Sequence, residues 1–116
     1  MRNWFLSWLI NGSLDMKIWL IRHAKPLVKK GLCYGRLDVG ADQSLTELAS
    51  DNLINALPDH SAVKVLMTSP RQRTKQLAKL LAKRLNLNLL EEERLAEMDF
   101  GKWEGCLWAN IPKSAI

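Results

Sequence analysis

Two stretches of leucine and alanine at helical spacing, each preceded by a short apolar run, constrain the fold of this chain most. The helical stretches lie at residues 45–57 and about 70–86, and the apolar runs lie at 18–21 and 63–67. A weaker apolar run follows at 87–90. Strands that alternate with helices in this way pair in parallel, with right-handed crossovers. The pattern predicts an α/β protein with three α/β/α layers and a mainly parallel sheet.

Both helices begin at residues that are typical of helix starts. Ser44 and Glu47 have the spacing of a capping box, in which the two side chains bind free backbone N–H groups. At the second helix, Ser69 is predicted to be the cap, with Pro70 at the first position and Gln72 closing another box.

Composition limits the class of protein. The chain has 116 residues, of which 47% are hydrophobic and 25% are charged, so we expect one small globular domain. The apolar cluster at residues 4–10 is too short for a membrane-spanning helix, so no membrane partner is expected. Cys33 and Cys106 lie far apart without metal-type neighbours, so they are interpreted as free thiols of a cytoplasmic protein that holds no metal.

Residues 1–15 differ from the rest of the chain. They are rich in tryptophan, lack strand or helix punctuation and end in Asn-Gly-Ser, directly before Met16 and a clear strand. We interpret residues 1–15 as an N-terminal extension or a misplaced start, and residues 16–116 as the folded unit.

Polar residues follow the first two strands. Arg22 and His23 come after the first strand, and residues 69–73 come after the second, at the start of a helix. Ligands of parallel sheets bind beyond the carboxyl ends of the strands, and helix N-termini attract anions. Arginine binds phosphate oxygens, and a neutral imidazole can attack phosphorus. A phosphate site is therefore one interpretation, although an Arg-His pair is also common on ordinary surfaces.

Three motifs carry a resemblance that spacing alone does not give. They are Ile-Arg-His-Ala at 21–24, Thr-Ser-Pro-Arg-Gln-Arg-Thr at 68–74, and Leu-Ala-Glu-Met-Asp-Phe-Gly-Lys-Trp-Glu-Gly at 95–105. In this order they resemble the histidine phosphatase superfamily, also called the phosphoglycerate mutase-like family. The resemblance extends from Met16 to the last residue. The stretch Cys-Tyr-Gly-Arg-Leu-Asp-Val at 33–39 is most similar to the α-ribazole phosphatase branch of cobalamin synthesis.

The resemblance implies a role for each matched residue. His23 matches the nucleophile that becomes phosphohistidine, Arg22 and Arg73 match the phosphate clamp, and Glu97 matches the acid that protonates the leaving alcohol. Arg36 is a candidate for contact with the substrate beyond its phosphate, because it lies in the long loop after the first strand. The implied reaction is hydrolysis of a small phosphate monoester without metal or cofactor. The first substrate is α-ribazole 5′-phosphate, and a phosphosugar or phosphoglycerate is the second.

Two departures from the family pattern limit this implication. Ala24 stands where the family commonly begins a Gly-Glu-Thr sequence. The family also places a second catalytic histidine beyond the point where this sequence stops, and His60, in a loop, is a poor substitute. Since family members are longer, we expect the front portion of an enzyme, with a sheet incomplete at one edge and a tendency to self-associate. The alternative is a non-catalytic remnant that binds only phosphate or a partner.

Two further features have ordinary structural interpretations. Cys33 and Tyr34 are interpreted as packing residues of the long loop. The basic residues of the second helix lie opposite its apolar face, where soluble helices place their lysines, so we expect no nucleic-acid partner. These residues are Arg71, Lys75, Lys79 and Lys83.

Overall fold

The core forms where two helices, α1 (Gln43–Ala56) and α2 (Gln72–Leu85), pack against each other. A computed structural model of the chain describes residues 3–10, 14–57, 59–112 and 114. Ala49 and Leu53 of α1 bury themselves against Leu77 and Leu81 of α2. Each pair is spaced four residues apart and therefore lies on one helix face. Leu45 and Leu48, which the leucine spacing also assigns to the core, are instead exposed.

A parallel pair of strands confirms the α/β class. Strand β3 (Leu66–Thr68) pairs in parallel with strand β4 (Leu89–Glu91), and α2 forms the connection between them. Both strands start two or three residues later than the apolar runs predict. Successive side chains of a strand face opposite sides, so Leu66 packs on the helical core whereas its neighbours Val65 and Met67 are exposed. Leu90, which is paired with Met67, is exposed too. In the described part of the chain, helices thus cover one face of this pair.

The strand that leads to Arg22 and His23 has an unexpected partner. Strand β2 (Leu14–Ile21) pairs in antiparallel fashion with β1 (Asn3–Ile10), with Asn3 opposite Ile21. Residues 3–10 thus form a strand although their sequence lacks strand punctuation, and among the described residues no ladder joins β2 to β3. Ile21 nevertheless packs against the helical core, which places the end of β2 beside α1 and α2. That residues 1–15 are an extension remains a prediction.

At the start of each helix, an aspartate carboxylate and not the predicted serine accepts a hydrogen bond from a free backbone N–H group. At α1, Asp42 is the cap and accepts a 2.9 Å hydrogen bond from the N–H of Leu45. At α2, the Asp38 carboxylate accepts a 2.7 Å hydrogen bond from the N–H of Gln72. The Ser69 hydroxyl lies 2.6 Å from that of Thr74. Ionised acceptors at helix starts are also favoured by the helix dipole.

The lysines of α2 fit the solvated-face interpretation. Lys79 and Lys83 are exposed, and the Lys75 ammonium pairs with the Glu91 carboxylate at 2.8 Å. Among the described residues, no helix is long and apolar enough to cross a membrane.

The long loop at residues 22–42 is tied to the segment near the end of the chain. The N–H of Cys33 donates to the carbonyl of Cys106 at 2.7 Å, and the N–H of Gly105 donates back to the carbonyl of Cys33 at 2.8 Å. Gly105 has a φ of +88°, so this crossing is a β-bulge of the kind that begins with a left-handed glycine. The bulge places the loop against residues 97–107. Short 3-10 turns complete the described elements, at His60–Ala62, Glu93–Leu95, Gly101–Trp103 and Trp108–Asn110.

Candidate active site

His23 lies two residues beyond β2 and is half-buried. Its Nδ1 atom lies 2.7 Å from the backbone carbonyl oxygen of Ala24. Because a carbonyl can only accept a hydrogen bond, Nδ1 is the protonated nitrogen. A neutral ring in this tautomer keeps its lone pair on Nε2. The bond to the backbone thus fixes both the ring orientation and the nitrogen that is available as a nucleophile.

The surroundings keep this imidazole neutral. Burial lowers the pKa of His23, and the hydrogen bond to Ala24 opposes that effect. The positive charges of Arg73 and Arg22 lower the pKa further, while the negative charge of Glu97 acts in the opposite direction. The net result is a pKa below the ordinary histidine value, so the ring is unprotonated at neutral pH.

Arg73 is held rigidly from α2. It is 2% exposed, and its Nη1 and Nη2 atoms donate hydrogen bonds of 2.6 and 2.5 Å to the carbonyls of Leu37 and Gly35. The ring of Tyr34 lies against the guanidinium, with Cζ 4.8 Å from the ring centroid. Burial lowers the pKa of Arg73, although an arginine remains charged at any physiological pH. A buried cation therefore lies close to His23.

Tyr34 is the residue that the sequence interpretation missed. Besides contacting Arg73, its ring approaches the ring of His23 edge-on, with centroids 6.5 Å apart at an angle of 67°. It is half-buried and belongs to the site rather than only to the packing of the loop. Its place directly before Gly35, in the loop between two motifs, was the one available signal.

The side chain of Arg36 contacts the backbone of Glu97. The Nε atom of Arg36 donates a 2.9 Å hydrogen bond to the backbone carbonyl of Glu97, 61 positions away. The Glu97 carboxylate is exposed and accepts a 3.0 Å hydrogen bond from the N–H of Met98. The N–H of Arg36 donates a 2.8 Å hydrogen bond to the carboxylate of Glu104. Glu104 thus anchors the backbone that presents Arg36.

Arg22 differs from Arg73 in being exposed. Together with His23 it lines an open cavity of about 560 Å³. The exposed Leu45 and Leu48 of α1 form part of the opposite wall, and Lys25 adds a second cation to the rim. The two arginines thus differ in burial: the guanidinium of Arg73 is held in the interior, whereas Arg22 is exposed and lines the cavity.

Two expected contributors do not reach the site. The start of α2 is predicted to offer backbone N–H groups to phosphate, but the carboxylate of Asp38 already occupies the N–H of Gln72. His60 lies in an exposed 3-10 turn and is not among the groups that shift the pKa of His23. In the described ranges, no three His, Cys, Asp or Glu side chains come together as metal ligands would.

The family model of the histidine phosphatase superfamily, branch 1, matches residues 18–115. This chain belongs to the histidine phosphatase superfamily. As a member of that superfamily, it is 31% identical over 90 residues to a protein of Hydrogenobacter thermophilus that carries the name phosphoserine phosphatase 2 provisionally. The match covers 77% of this chain and 43% of that relative.

Solved structures have a similar fold over most of this chain. A protein from Thermus thermophilus is 25% identical, with a TM-score of 0.64, over 83% of this chain and 52% of its own. A mycobacterial glucosyl-3-phosphoglycerate phosphatase is 22% identical, with a TM-score of 0.59, over 75% of this chain and 41% of its own. The chain thus spans about half the length of these proteins or less.

Proposed function

We propose that this chain carries the phosphoryl-transfer site of a phosphate monoester hydrolase, in which His23 is the nucleophile. The observation that supports this most is the hydrogen bond from Nδ1 of His23 to the Ala24 carbonyl, next to the buried charge of Arg73. It leaves a neutral imidazole with Nε2 as its free nitrogen. A nucleophile held in this state beside a guanidinium suits attack on a phosphate ester.

The proposed reaction has two steps. In the first, the lone pair of His23 Nε2 forms a bond to phosphorus, and the bond from phosphorus to the substrate oxygen breaks in line. Arg22 and Arg73 bind the equatorial oxygens, and Glu97 donates its proton to the departing alkoxide. In the second, the Glu97 carboxylate takes a proton from water, whose oxygen forms a bond to phosphorus while the bond from His23 Nε2 to phosphorus breaks, so that inorganic phosphate leaves and both side chains return to their starting states. Catalysis of this kind depends on positioning and on charge stabilisation.

For the substrate we propose α-ribazole 5′-phosphate, because of the resemblance of residues 33–39 to that phosphatase branch. Arg36 is exposed and is bonded to the backbone of Glu97, and it is the residue proposed to contact the substrate beyond its phosphate. The names of relatives add phosphoserine and phosphosugar or phosphoglycerate esters as competitors. Initial rates with this panel of esters would rank them. We further propose a cytoplasmic location, as expected for such small phosphorylated metabolites.

Transfer of phosphate to the protein tests the role of His23 directly. The full chain is incubated with p-nitrophenyl phosphate, and phosphohistidine is mapped by mass spectrometry at neutral or alkaline pH. We expect a label at position 23 that is absent from His23→Asn and retained in His60→Asn. A label that persists in His23→Asn would disprove the proposal.

The proton donor is tested by changing the leaving group. p-Nitrophenolate leaves without a proton, whereas an alkoxide does not. We therefore expect Glu97→Gln to label normally with p-nitrophenyl phosphate and to lose most of its rate with an alkyl phosphate. An equal loss with both esters would exclude Glu97 as the acid.

A second candidate is phosphate binding without turnover. It is favoured by the position of the other histidine of this sequence, His60, which lies in an exposed 3-10 turn and is not among the groups that act on His23. It predicts that wild-type chain binds inorganic phosphate but gains no label at His23. The labelling experiment therefore separates the two functions.

A further inference from the structure

Tyr34 lies between the proposed nucleophile and the buried arginine. Its ring face contacts the guanidinium of Arg73, and it meets the ring of His23 edge-on. No element of the proposed reaction uses this residue. Among the side chains that the structure describes, Tyr34 nevertheless has ring contacts to both His23 and Arg73.

The contacts of Arg73 show what the ring adds. The carbonyls of Gly35 and Leu37 accept hydrogen bonds from the two terminal nitrogens and so restrain the guanidinium within its own plane. They do not restrain tilting out of the plane to the same degree. The guanidinium carbon lies over the face of the aromatic ring, an arrangement that is attractive and more so when water is excluded. Arg73 is thereby held in three directions by residues 34–37.

We propose that Tyr34 is a positioning residue, whose ring keeps the Arg73 guanidinium and the His23 imidazole aligned on one phosphoryl group. This inference rests on the proposed function, since it assigns both partners to the same phosphate. The contribution comes from the face and edge of the ring and not from the hydroxyl. Phenylalanine in place of Tyr34 should therefore preserve the alignment of Arg73 and His23, whereas a side chain of similar bulk without an aromatic ring should lose it.

The test compares three variants of the full chain. Tyr34→Phe keeps the ring, Tyr34→Met keeps much of the volume without a ring, and Tyr34→Leu is a second ring-free variant in case one of these fails to fold. Inorganic phosphate is the probe of the clamp, and its affinity is measured by calorimetry. We expect a loss of about tenfold in the Met and Leu variants, the order of a desolvated cation–π contact, and little change in the Phe variant. Equal affinity in all variants would overturn the proposal, as would an equal loss in Tyr34→Phe.

A second readout does not depend on phosphate. The chain has two histidines, so NMR titration of the imidazole C–H signals reports His23 and uses His60 as an internal reference. The charged groups that act on His23 are Arg73, Arg22 and Glu97. Removing the ring admits water and frees Arg73, and both changes raise the titration midpoint of His23. We expect an upward shift for His23 in the Met and Leu variants, with the His60 curve unchanged.

The two proposals fail in different ways. If the wild-type chain gains no phosphohistidine while the ring-free variants still shift His23 and weaken phosphate binding, the hydrolase proposal fails and the positioning role stands. If His23 is phosphorylated normally while neither the His23 midpoint nor phosphate affinity responds to loss of the ring, the positioning role fails alone. Urea unfolding of each variant checks that the fold is intact.

Discussion

The carboxylate of Asp38 accepts a hydrogen bond of 2.7 Å from the backbone N–H of Gln72, the first residue of α2. The first backbone N–H group of α2 is thus occupied by a residue of the long loop. Phosphate would have to compete with an internal carboxylate there. Under the proposed function, we therefore expect phosphate binding to depend on the side chains of Arg22 and Arg73 more than on this N–H group.

Loss of this cap should destabilise the chain. Replacement of Asp38 by Ala removes the acceptor for Gln72, and caps of this kind contribute about 1 kcal/mol to the free energy of unfolding. Asp38→Asn keeps an oxygen acceptor and should lose less. Asp51→Ala is the control, because it removes an exposed ion pair with Arg84, which contributes about 0.5 kcal/mol or less. Urea unfolding measures all three, and equal losses for Asp38→Ala and Asp51→Ala would contradict the role of the cap.

Gly35 should tolerate no side chain. It has a φ of +42°, and a Cβ atom built there would lie 2.6 Å from Phe100 Cδ2 and 2.9 Å from the Met98 carbonyl. Gly31 is a matched control, with a φ of +81° and nothing within 4 Å of such an atom.

We expect Gly31→Ala to cost only backbone strain, about 1–2 kcal/mol. Gly35→Ala should lose about 1–3 kcal/mol more, because the segment at 98–100 must move away. It should also weaken phosphate binding, since the carbonyl of Gly35 anchors Arg73. Thermal unfolding and phosphate calorimetry on both variants test this. A Gly35→Ala variant no less stable than Gly31→Ala would show that the loop can give way freely.

The depressed pKa of His23 predicts a pH dependence of stability. As the pH falls below the ordinary histidine value, the unfolded chain takes up a proton before the folded chain does. The free energy of unfolding should therefore decrease as the pH is lowered between the unfolded and folded pKa values, and this contribution is constant at higher pH. Urea unfolding of wild type and His23→Asn across the acidic range measures the contribution of His23 as the difference between the curves. Parallel curves would mean that the folded protein does not resist protonation of His23.

The uncovered face of the parallel strands predicts self-association. Val65, Met67 and Leu90 are 59%, 53% and 48% exposed, and the last two are direct neighbours in register. A contiguous apolar face of this kind favours contact with a second copy. Sedimentation velocity should show species larger than a monomer that grow with concentration, and Met67→Lys should reduce them. Leu27→Lys, which changes a leucine of the long loop that is 66% exposed, is the control. A wild-type chain that stays monomeric at high concentration would refute this prediction.

Local sequence patterns predicted the elements of the fold but not all of their ends. The leucine spacing of α1 and α2 is a local signal, and both helices form where it predicts them. The cap of α2 comes from Asp38, 34 positions before Gln72, so no local window contains it. The pairing of β1 with β2 was not predicted, since residues 1–15 are interpreted as lacking strand punctuation.

The candidate site divides in a similar way. Arg22 and His23 are adjacent in the chain, so the end of one strand suffices to place them together. The roles expected of Arg73 and Glu97 came from family resemblance, because nothing in their local sequence distinguishes them from other charged residues. The role of Tyr34 depends on which way a loop ring faces, and the composition of that loop does not determine it.

The tie between Arg36 and the carboxylate of Glu104 joins positions 68 residues apart. During synthesis, the first half of the site leaves the ribosome long before the residues that anchor it. Since domains fold as their contacting segments emerge, the nascent chain exposes His23 with an unsupported loop until Glu104 is free of the exit tunnel. Assembly of the site therefore waits until Glu104 has emerged, and a ribosome that stalls before that point would carry the imidazole without its anchored wall.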